Sequence, residues 1–303
     1  MLPLSNIKVL DLTRLIPGPF CSLILSDLGA KVTKVEDPVH GDYLREMGGG
    51  LFAALNRGKK IIKLDLKSAS GQAAFAGLVK KSDLVLESFR PGVLDRLGLS
   101  FSKLKKINSA IILVSITGYG QTGPGNDKAG HDLNYMSVAG LISSRDIPTI
   151  QWADFVGGGV MAALKIVAAL AGKKKGVHLD VSMTDSMIYC GLGNILTRDG
   201  PHVLTGLLGR YQIYETSDGK MVSLAALEAK FWNRFCDLVG LPDLKEGAEK
   251  FPDARPEVKK ELVTLFKGKT RDEWEKLGRE NDICLTPVLT PKEVRHEKVL
   301  FSL

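Results

Sequence analysis

The stretch Ile7-Lys8-Val9-Leu10-Asp11-Leu12-Thr13-Arg14-Leu15-Ile16-Pro17-Gly18-Pro19-Phe20, continuing through Leu28-Gly29-Ala30 to Lys31-Val32-Thr33-Lys34-Val35-Glu36, decides the fold. Residues 7–12 read as a strand. Residues 20–28 read as a helix that closes at Gly29, a good residue for a left-handed C-terminal cap. Residues 31–36 are the next strand. A strand, a helix and a strand in so short a span make a βαβ unit with a parallel sheet.

The alternation continues outward. Residues 61–66, 83–87, 111–116 and 177–183 read as strands, and 69–80 as a helix. The strands are nearly continuous Val, Ile and Leu, as strands buried on both faces are. The expected class is α/β, a doubly wound and mainly parallel sheet. After about residue 189 the texture changes. Residues 191–209 are glycine-rich and weakly patterned, and read as a linker. Residues 211–214 and 221–224 flank the turn Ser217-Asp218-Gly219-Lys220, a hairpin signal. Helices are expected at 229–239, 256–266 and 270–279. The expected domains are a large one at 1–190, a smaller α+β domain at 210–290, and a short tail at 291–303.

Composition narrows the function. The 303 residues are 44% apolar and 25% charged, which argues against extended disorder. The net charge of +7 suits an anionic ligand. No zinc-finger spacing, Arg-rich arm or basic helix face interleaved with aromatics is present, so nucleic acid is not expected. Cys21, Cys190, Cys236 and Cys284 are far apart and lack metal spacing; they read as free, mostly buried thiols of a reducing compartment. No metal site is expected. The N-terminus lacks a signal-like core, and no run reaches membrane-spanning length; the most apolar helix, 156–171, contains Lys165. The final Phe-Ser-Leu lacks the lysine of a peroxisomal address. The expected location is cytoplasmic.

A doubly wound sheet raises the possibility of a nicotinamide cofactor. Glu36 ends the second strand, where a ribose-binding acid would stand. The first turn, however, has one glycine where Gly-x-Gly-x-x-Gly needs three, and its prolines deny N–H groups to a pyrophosphate. Glu36 is therefore expected to be a surface or ribose-contacting acid. No P-loop is present. Two basic spots remain, Asn56-Arg57-Gly58-Lys59-Lys60 and Ser88-Phe89-Arg90-Pro91-Gly92. Each alone reads as a solvated loop; together on one sheet they favour a phosphate site.

Several motifs together resemble the family III CoA-transferases. They are Val9-Leu10-Asp11-Leu12-Thr13, Pro17-Gly18-Pro19-Phe20-Cys21, Asp27-Leu28-Gly29-Ala30, Val35-Glu36, Arg57-Gly58-Lys59, Asp65-Leu66-Lys67, Phe89-Arg90-Pro91-Gly92 and Gly118-Tyr119-Gly120-Gln121-Thr122-Gly123-Pro124. The resemblance runs in order from about Ile7 to Val294. Within the family the chain resembles the α-methylacyl-CoA racemase branch. Gly130-His131-Asp132-Leu133-Asn134-Tyr135, Ala153-Asp154-Phe155 and Ala226-Leu227-Glu228-Ala229-Lys230-Phe231 carry this, and Cys284-Leu285-Thr286-Pro287-Val288 also matches. The resemblance implies an interlocked homodimer with CoA on the large domain and a site between the large domain of one subunit and the small domain of its partner. It implies no tightly bound cofactor and coenzyme A as part of the substrate. Two departures stand out. Asp37 takes a position where racemases often carry an arginine that touches the adenosine end of CoA. Members also usually run some tens of residues further, so the chain reads as naturally short or truncated.

The resemblance implies catalytic roles for His131, Asp154 and Glu228. It implies CoA contacts for Arg57, Gly58, Lys59, Lys60, Glu87, Arg90, Tyr119, Gly130, Asp132, Asn134 and Tyr135. Racemising a 2-methylacyl thioester needs two groups flanking the α-carbon, one a base while the other is an acid. A histidine suits this near neutral pH. An apolar site would raise the Asp154 pKa toward a working range. Glu228 would fix the histidine tautomer, and N–H groups near Asp154 and Gly157 would bind the enolate oxygen. Each residue also has a plain structural role open to it. His131 could cap a helix, Asp154 could be the N-cap of the next one, Glu228 could cap the helix after it, and Asp132 reads as structural or substrate-adjacent. CoA transfer through an aspartyl anhydride on Asp154 is the alternative reaction, and a CoA-binding non-enzymatic homologue is a third possibility. Residues 191–209 and the Met136 and Met187 region are expected near the acyl pocket.

Overall fold

The computed structural model describes residues 2–47, 50–142, 145–193, 203–245 and 255–296. The chain divides into two compact units, Met1–Ile195 and Leu196–Leu303. In the first, β1 (Lys8–Asp11), α1 (Pro17–Asp27) and β2 (Lys31–Glu36) lead to the short helices α2 (Leu44–Met47) and α3 (Leu51–Leu55). Next come β3 (Lys60–Lys63), α4 (Ala69–Val79), β4 (Leu84–Glu87), α5 (Val93–Arg96), α6 (Phe101–Ile107), β5 (Ile112–Thr117) and α7 (Asp132–Val138). A π-helical segment, Ala153–Val160, runs into α8 (Met161–Ala171), followed by β6 (His178–Ser182) and α9 (Met183–Cys190).

The six strands form one parallel sheet in the order β3-β2-β1-β4-β5-β6. The order reverses between β1 and β4, so a crevice opens at the carboxyl ends of these two strands. Every residue of β4 and β5 is buried, which is why their sequences are continuous rather than alternating. At one edge, β3 keeps Lys60 and Lys63 exposed, charges that discourage pairing with another chain.

The second unit holds β7 (Tyr211–Glu215), β8 (Met221–Ala225), α10 (Ala229–Val239), α11 (Pro256–Phe266), α12 (Arg271–Glu280), β9 (Leu285–Pro287) and α13 (Pro291–His296). Its strands make a three-stranded antiparallel sheet, β7-β8-β9. Tyr214, Trp232, Phe235, Phe266 and Trp274 form its core. The expected linker lies partly outside the described residues, at 194–202; Val203–Thr205 is a 3-10 turn. The segment expected as a tail begins as α13, and its remainder at 297–303 lies outside the described residues.

Four expectations are corrected. The first helix starts at Pro17 rather than Phe20: Pro17 and Pro19 occupy its first turn, where the missing N–H costs nothing. The π segment and α8 join into one 19-residue helix, long and apolar enough to cross a membrane by length and composition. It packs instead into the large unit's core through Ala162, Ala163, Ile166 and Ala169. Glu36 is 3% exposed and ion-paired to Arg45 at 3.0 Å, so it is not a surface acid. Of the cysteines only Cys21 and Cys236 are buried, and Cys190 is exposed.

Under the turn that joins β1 to α1 lie four buried charges. Lys34 Nζ is 2.9 Å from Asp42 Oδ2, and Lys59 Nζ is 3.6 Å from Asp11 Oδ2; all four side chains are fully buried. Burial works against the Asp11 charge, but Lys34, Lys59 and the hydroxyls of Ser22 and Thr13 outweigh it and hold its pKa below the usual range. Burial also pulls Lys59 down to about 8, against the attraction of Asp11. Removing one member of such a group strands its partner in low dielectric. Lys59→Met should therefore lower stability by about 3 kcal/mol. Arg57→Ala, which breaks the exposed pair with Asp27, should cost under about 1 kcal/mol. Urea midpoints measure both, and equal losses would contradict the buried cluster.

Candidate active site

The crevice at the switch point is a cleft of about 310 Å³. Residues at and just past the strand ends build it: Arg14 after β1, Ser88 to Pro91 after β4, Thr117 at the end of β5 with Gly118 and Tyr119 after it, and Met183 after β6. The segment from Asn126 to His131, with Tyr135 and Asp154, completes the wall. Arg14, Arg90 and Lys128 give the cleft a cationic side, while Leu15, Pro17, Ile116 and Met183 give it an apolar one.

The turn after β1 is held from beneath. Lys34 Nζ donates to Thr13 O at 2.7 Å, Thr13 N donates to Asp11 Oδ1 at 2.9 Å, and Leu15 N donates to Asp42 Oδ1 at 2.9 Å. Leu15 takes a φ of 64°, a left-handed conformation unfavourable for a branched side chain. The buried charges sustain it, and its side chain lines the cleft.

His131 is the N-cap residue of α7 by backbone position. Its N–H donates to Asn134 Oδ1 at 3.0 Å, and its carbonyl accepts from Asn134 N and Tyr135 N. The imidazole is exposed in the cleft and has no hydrogen-bond partner among the described residues. Its capping role uses the backbone and leaves the ring free.

Asp154 lies in the first turn of the π segment, whose N-cap is Trp152, so Asp154 is not the N-cap. π-helical turns are rare and recur at functional sites. Here the glycines of Ala153–Val160 allow close packing. A Cβ on Gly158 would stand 2.6 Å from the Pro17 Cβ, so another residue would push this segment off α1. Asp132, the first residue of α7, reaches across and accepts from Asp154 N at 2.9 Å. One carboxylate thus ties the backbone of Asp154 to the neighbour of His131. It also consumes an N–H expected to bind an enolate oxygen.

Burial, and then the charge of Asp132, push the Asp154 carboxyl up to about 7. Burial likewise raises Tyr135 to about 12, with Asp154 adding to the effect. The Tyr135 hydroxyl donates to Gly130 O at 2.5 Å, and its ring meets Tyr119 edge-on at 5.2 Å. A Cβ on Gly118 would stand 2.2 Å from that ring, which accounts for a glycine there.

The structure brings together His131, Asp154, Arg90, Tyr119, Gly130 and Tyr135 in the cleft. Asp132 and Asn134 instead brace and cap α7. Glu87 is 2% exposed and lies behind the wall. Arg57, Gly58, Lys59 and Lys60 enter at the amino end of β3, away from the cleft edge; Lys59 turns inward and donates to Pro19 O and Ser22 Oγ, so its charge faces no external phosphate. Asp37 is spent on its own turn, accepting from Val39 N and His40 N. Glu228 belongs to the other unit, as the N-cap residue of α10 with an exposed side chain that makes no capping bond. Met136 and Met187 are core residues, and Met183 is the methionine that lines the cleft. Arg14 and Lys128 were missed by the sequence reading; the position of Arg14 just past a strand end was the available signal. Among the described residues no cluster of three or more His, Cys, Asp or Glu side chains could hold a metal ion.

The human α-methylacyl-CoA racemase is 34% identical over 97% of this chain and 79% of its own length. The acetyl-CoA:oxalate CoA-transferase of Acetobacter aceti is 33% identical over 80% of this chain and 68% of its own. A CAIB/BAIF family protein from Brucella suis superposes with a TM-score of 0.83 at 28% identity, covering 98% of this chain and 86% of that one. A hypothetical protein from Mycobacterium tuberculosis gives 0.84 at 28% identity, covering 99% and 88%. With the family model of CoA-transferase family III matching residues 4–302, the chain belongs to that family, which unites racemases and CoA-transferases.

Proposed function

We propose that this protein racemises 2-methylacyl-CoA thioesters, with His131 and Asp154 exchanging the α-proton. The observation that carries this is the pairing of a free imidazole with a carboxyl raised to about 7 in one cleft. A group that must be base in one direction and acid in the other works best when both forms are populated near neutral pH. A nucleophilic aspartate for CoA transfer would be better served by a fully ionised carboxylate. Glu228, supplied by the small domain of a partner copy of this chain, is the proposed support of the histidine, as the resemblance to racemases implies.

In one direction His131 removes the proton from one face of the α-carbon while the protonated Asp154 supplies one to the other. In the reverse direction the roles exchange. Asp132 ties the backbone at Asp154 to the start of α7, next to His131. The enolate oxygen needs a donor other than Asp154 N. The N–H of Asp132, first in α7 and next to His131, has no acceptor among the described residues and is the proposed donor. The cationic side of the cleft suits the phosphates of CoA, and a neighbouring hollow of about 280 Å³, sharing Arg14 and Phe89, extends the surface over the ends of β2 and β3. The apolar side suits a branched acyl group.

Deuterium wash-in decides the reaction. Wild-type enzyme in deuterated water should label the α-carbon of a 2-methylacyl-CoA without any acceptor acid. His131→Ala and Asp154→Asn should each slow labelling by about 10²–10⁴-fold. Absence of label, with CoA moved to an added carboxylate, would assign the transferase reaction instead.

The pH profile follows from Asp154. When it takes the proton, kcat/KM should rise through about 7; when it gives the proton, kcat/KM should fall through the same value. A carboxyl whose folded pKa is raised supports the fold fully below its unfolded pKa, and that support is lost as pH rises through about 7. Asp154→Asn should therefore be more stable than wild type above pH 7, by roughly 2 kcal/mol after allowance for partial exposure, and match it below about pH 4. Calorimetry across pH tests this.

A further inference from the structure

Behind the cleft wall, β4, β5 and β6 carry a row of polar residues on one face of the sheet. Glu87 is the register partner of Ser115, and Ser115 that of Asp180. The same face is otherwise apolar, with Val85 and Leu113 in its core. Polar groups at such positions are costly unless they are bonded. Here both carboxylates hold cleft loops. Glu87 Oε2 accepts from Phe89 N at 2.7 Å, and Asp180 Oδ2 accepts from Gln121 N at 2.9 Å. Arg90, next to Phe89, donates from Nη2 to the Asp127 carbonyl at 2.5 Å. The segment that carries His131 is therefore held at Gln121 by Asp180, and at Asp127 through Phe89 and Arg90 by Glu87.

We propose that Glu87 is a pH-responsive positioning residue, which fixes the Phe89–Arg90 wall and, through Arg90, the approach to His131. The proposal rests on the CoA-thioester function given above. Burial pushes Glu87 up to about 7, against the Ser115 hydroxyl and the Phe89 N–H, which favour its charged form. Asp180 from β6 and Asp95 from α5 face it and add to the rise. Arg90 and His178 line the same cavity of about 280 Å³, to which the start of α6 adds Ser100 and Phe101.

His178 Nε2 lies 2.8 Å from Ser115 Oγ, and the histidine, on an edge strand, is exposed. Charged Glu87 makes a charge-assisted bond to Phe89 N–H, and neutral Glu87 a weaker one.

The test compares wild type with Glu87→Gln, whose amide oxygen accepts the same N–H but does not titrate. Coenzyme A affinity is measured by calorimetry from about pH 5.5 to about pH 8.5, a range that spans the titration. The titration of Asp154 is common to both proteins and cancels in the ratio. The two should bind equally at the acid end, and wild type about fivefold more tightly at the alkaline end, the excess of one charged hydrogen bond over a neutral one. Ser115→Ala should move the midpoint of that change to higher pH. A constant or inverted ratio would overturn the proposal. Failure of wild type to bind coenzyme A at any pH would instead sink the proposed ligand. Exchange of the Phe89 amide with solvent then decides for Glu87 without ligand: its protection, relative to Glu87→Gln, should fall below about pH 7, and an unchanged ratio counts against it.

Discussion

Four buried charges under one turn set the geometry of the cleft. Asp11, Lys34, Asp42 and Lys59 form two ion pairs with no exposed side chain. Such pairs repay their desolvation only when further hydrogen bonds satisfy them. Here those bonds come from the turn between β1 and α1, through Thr13 and Leu15, and from α1 itself, through Pro19 and Ser22. The turn therefore has one conformation, including a left-handed Leu15. The first turn of α1 then meets the glycines of the π segment, so the position of Asp154 follows from charges beneath a different loop.

Asp132 supplies the second constraint. It stands beside His131 and bonds the amide of Asp154, twenty-two positions away in sequence. The bond ties the backbone at Asp154 to the residue next to His131, and the charge of Asp132 helps raise the Asp154 carboxyl to about 7. Position and acidity thus come from one side chain. The polar row of Glu87, Ser115 and Asp180 plays a comparable part for the opposite wall. The cleft surface is a thin layer of loops held from beneath by polar groups such as Asp11, Glu87 and Asp180.

Much of the fold was legible. The bounds of β2, α10 and α11 agree with the sequence expectation to the residue, because apolar runs and caps marked them. The start of α1 was not legible, because Pro-Gly-Pro looks like a turn until its place in the first helical turn is seen. The π segment was equally hidden, since no sequence period distinguishes it from an α-helix. Within the site, His131 and Asp154 were legible as motifs, as were Arg90, Tyr119, Gly130 and Tyr135. Lys59 and Glu36 were misread because a charged residue in a glycine-rich or strand-end context looks solvated, and only its neighbours reveal that it is buried and paired.

By itself the sequence determined the parallel sheet, the order of its elements, the family and the residue types available for proton transfer. These depend on local periodicity and on motifs, which short stretches of chain carry. The tertiary structure alone decided which charges face the cleft and which are buried, that Asp132 is a brace, and that Asp154 is raised toward neutrality. Those properties arise from groups distant in sequence. Desolvation and hydrogen bonding depend on what surrounds an atom in space, and no local pattern records that.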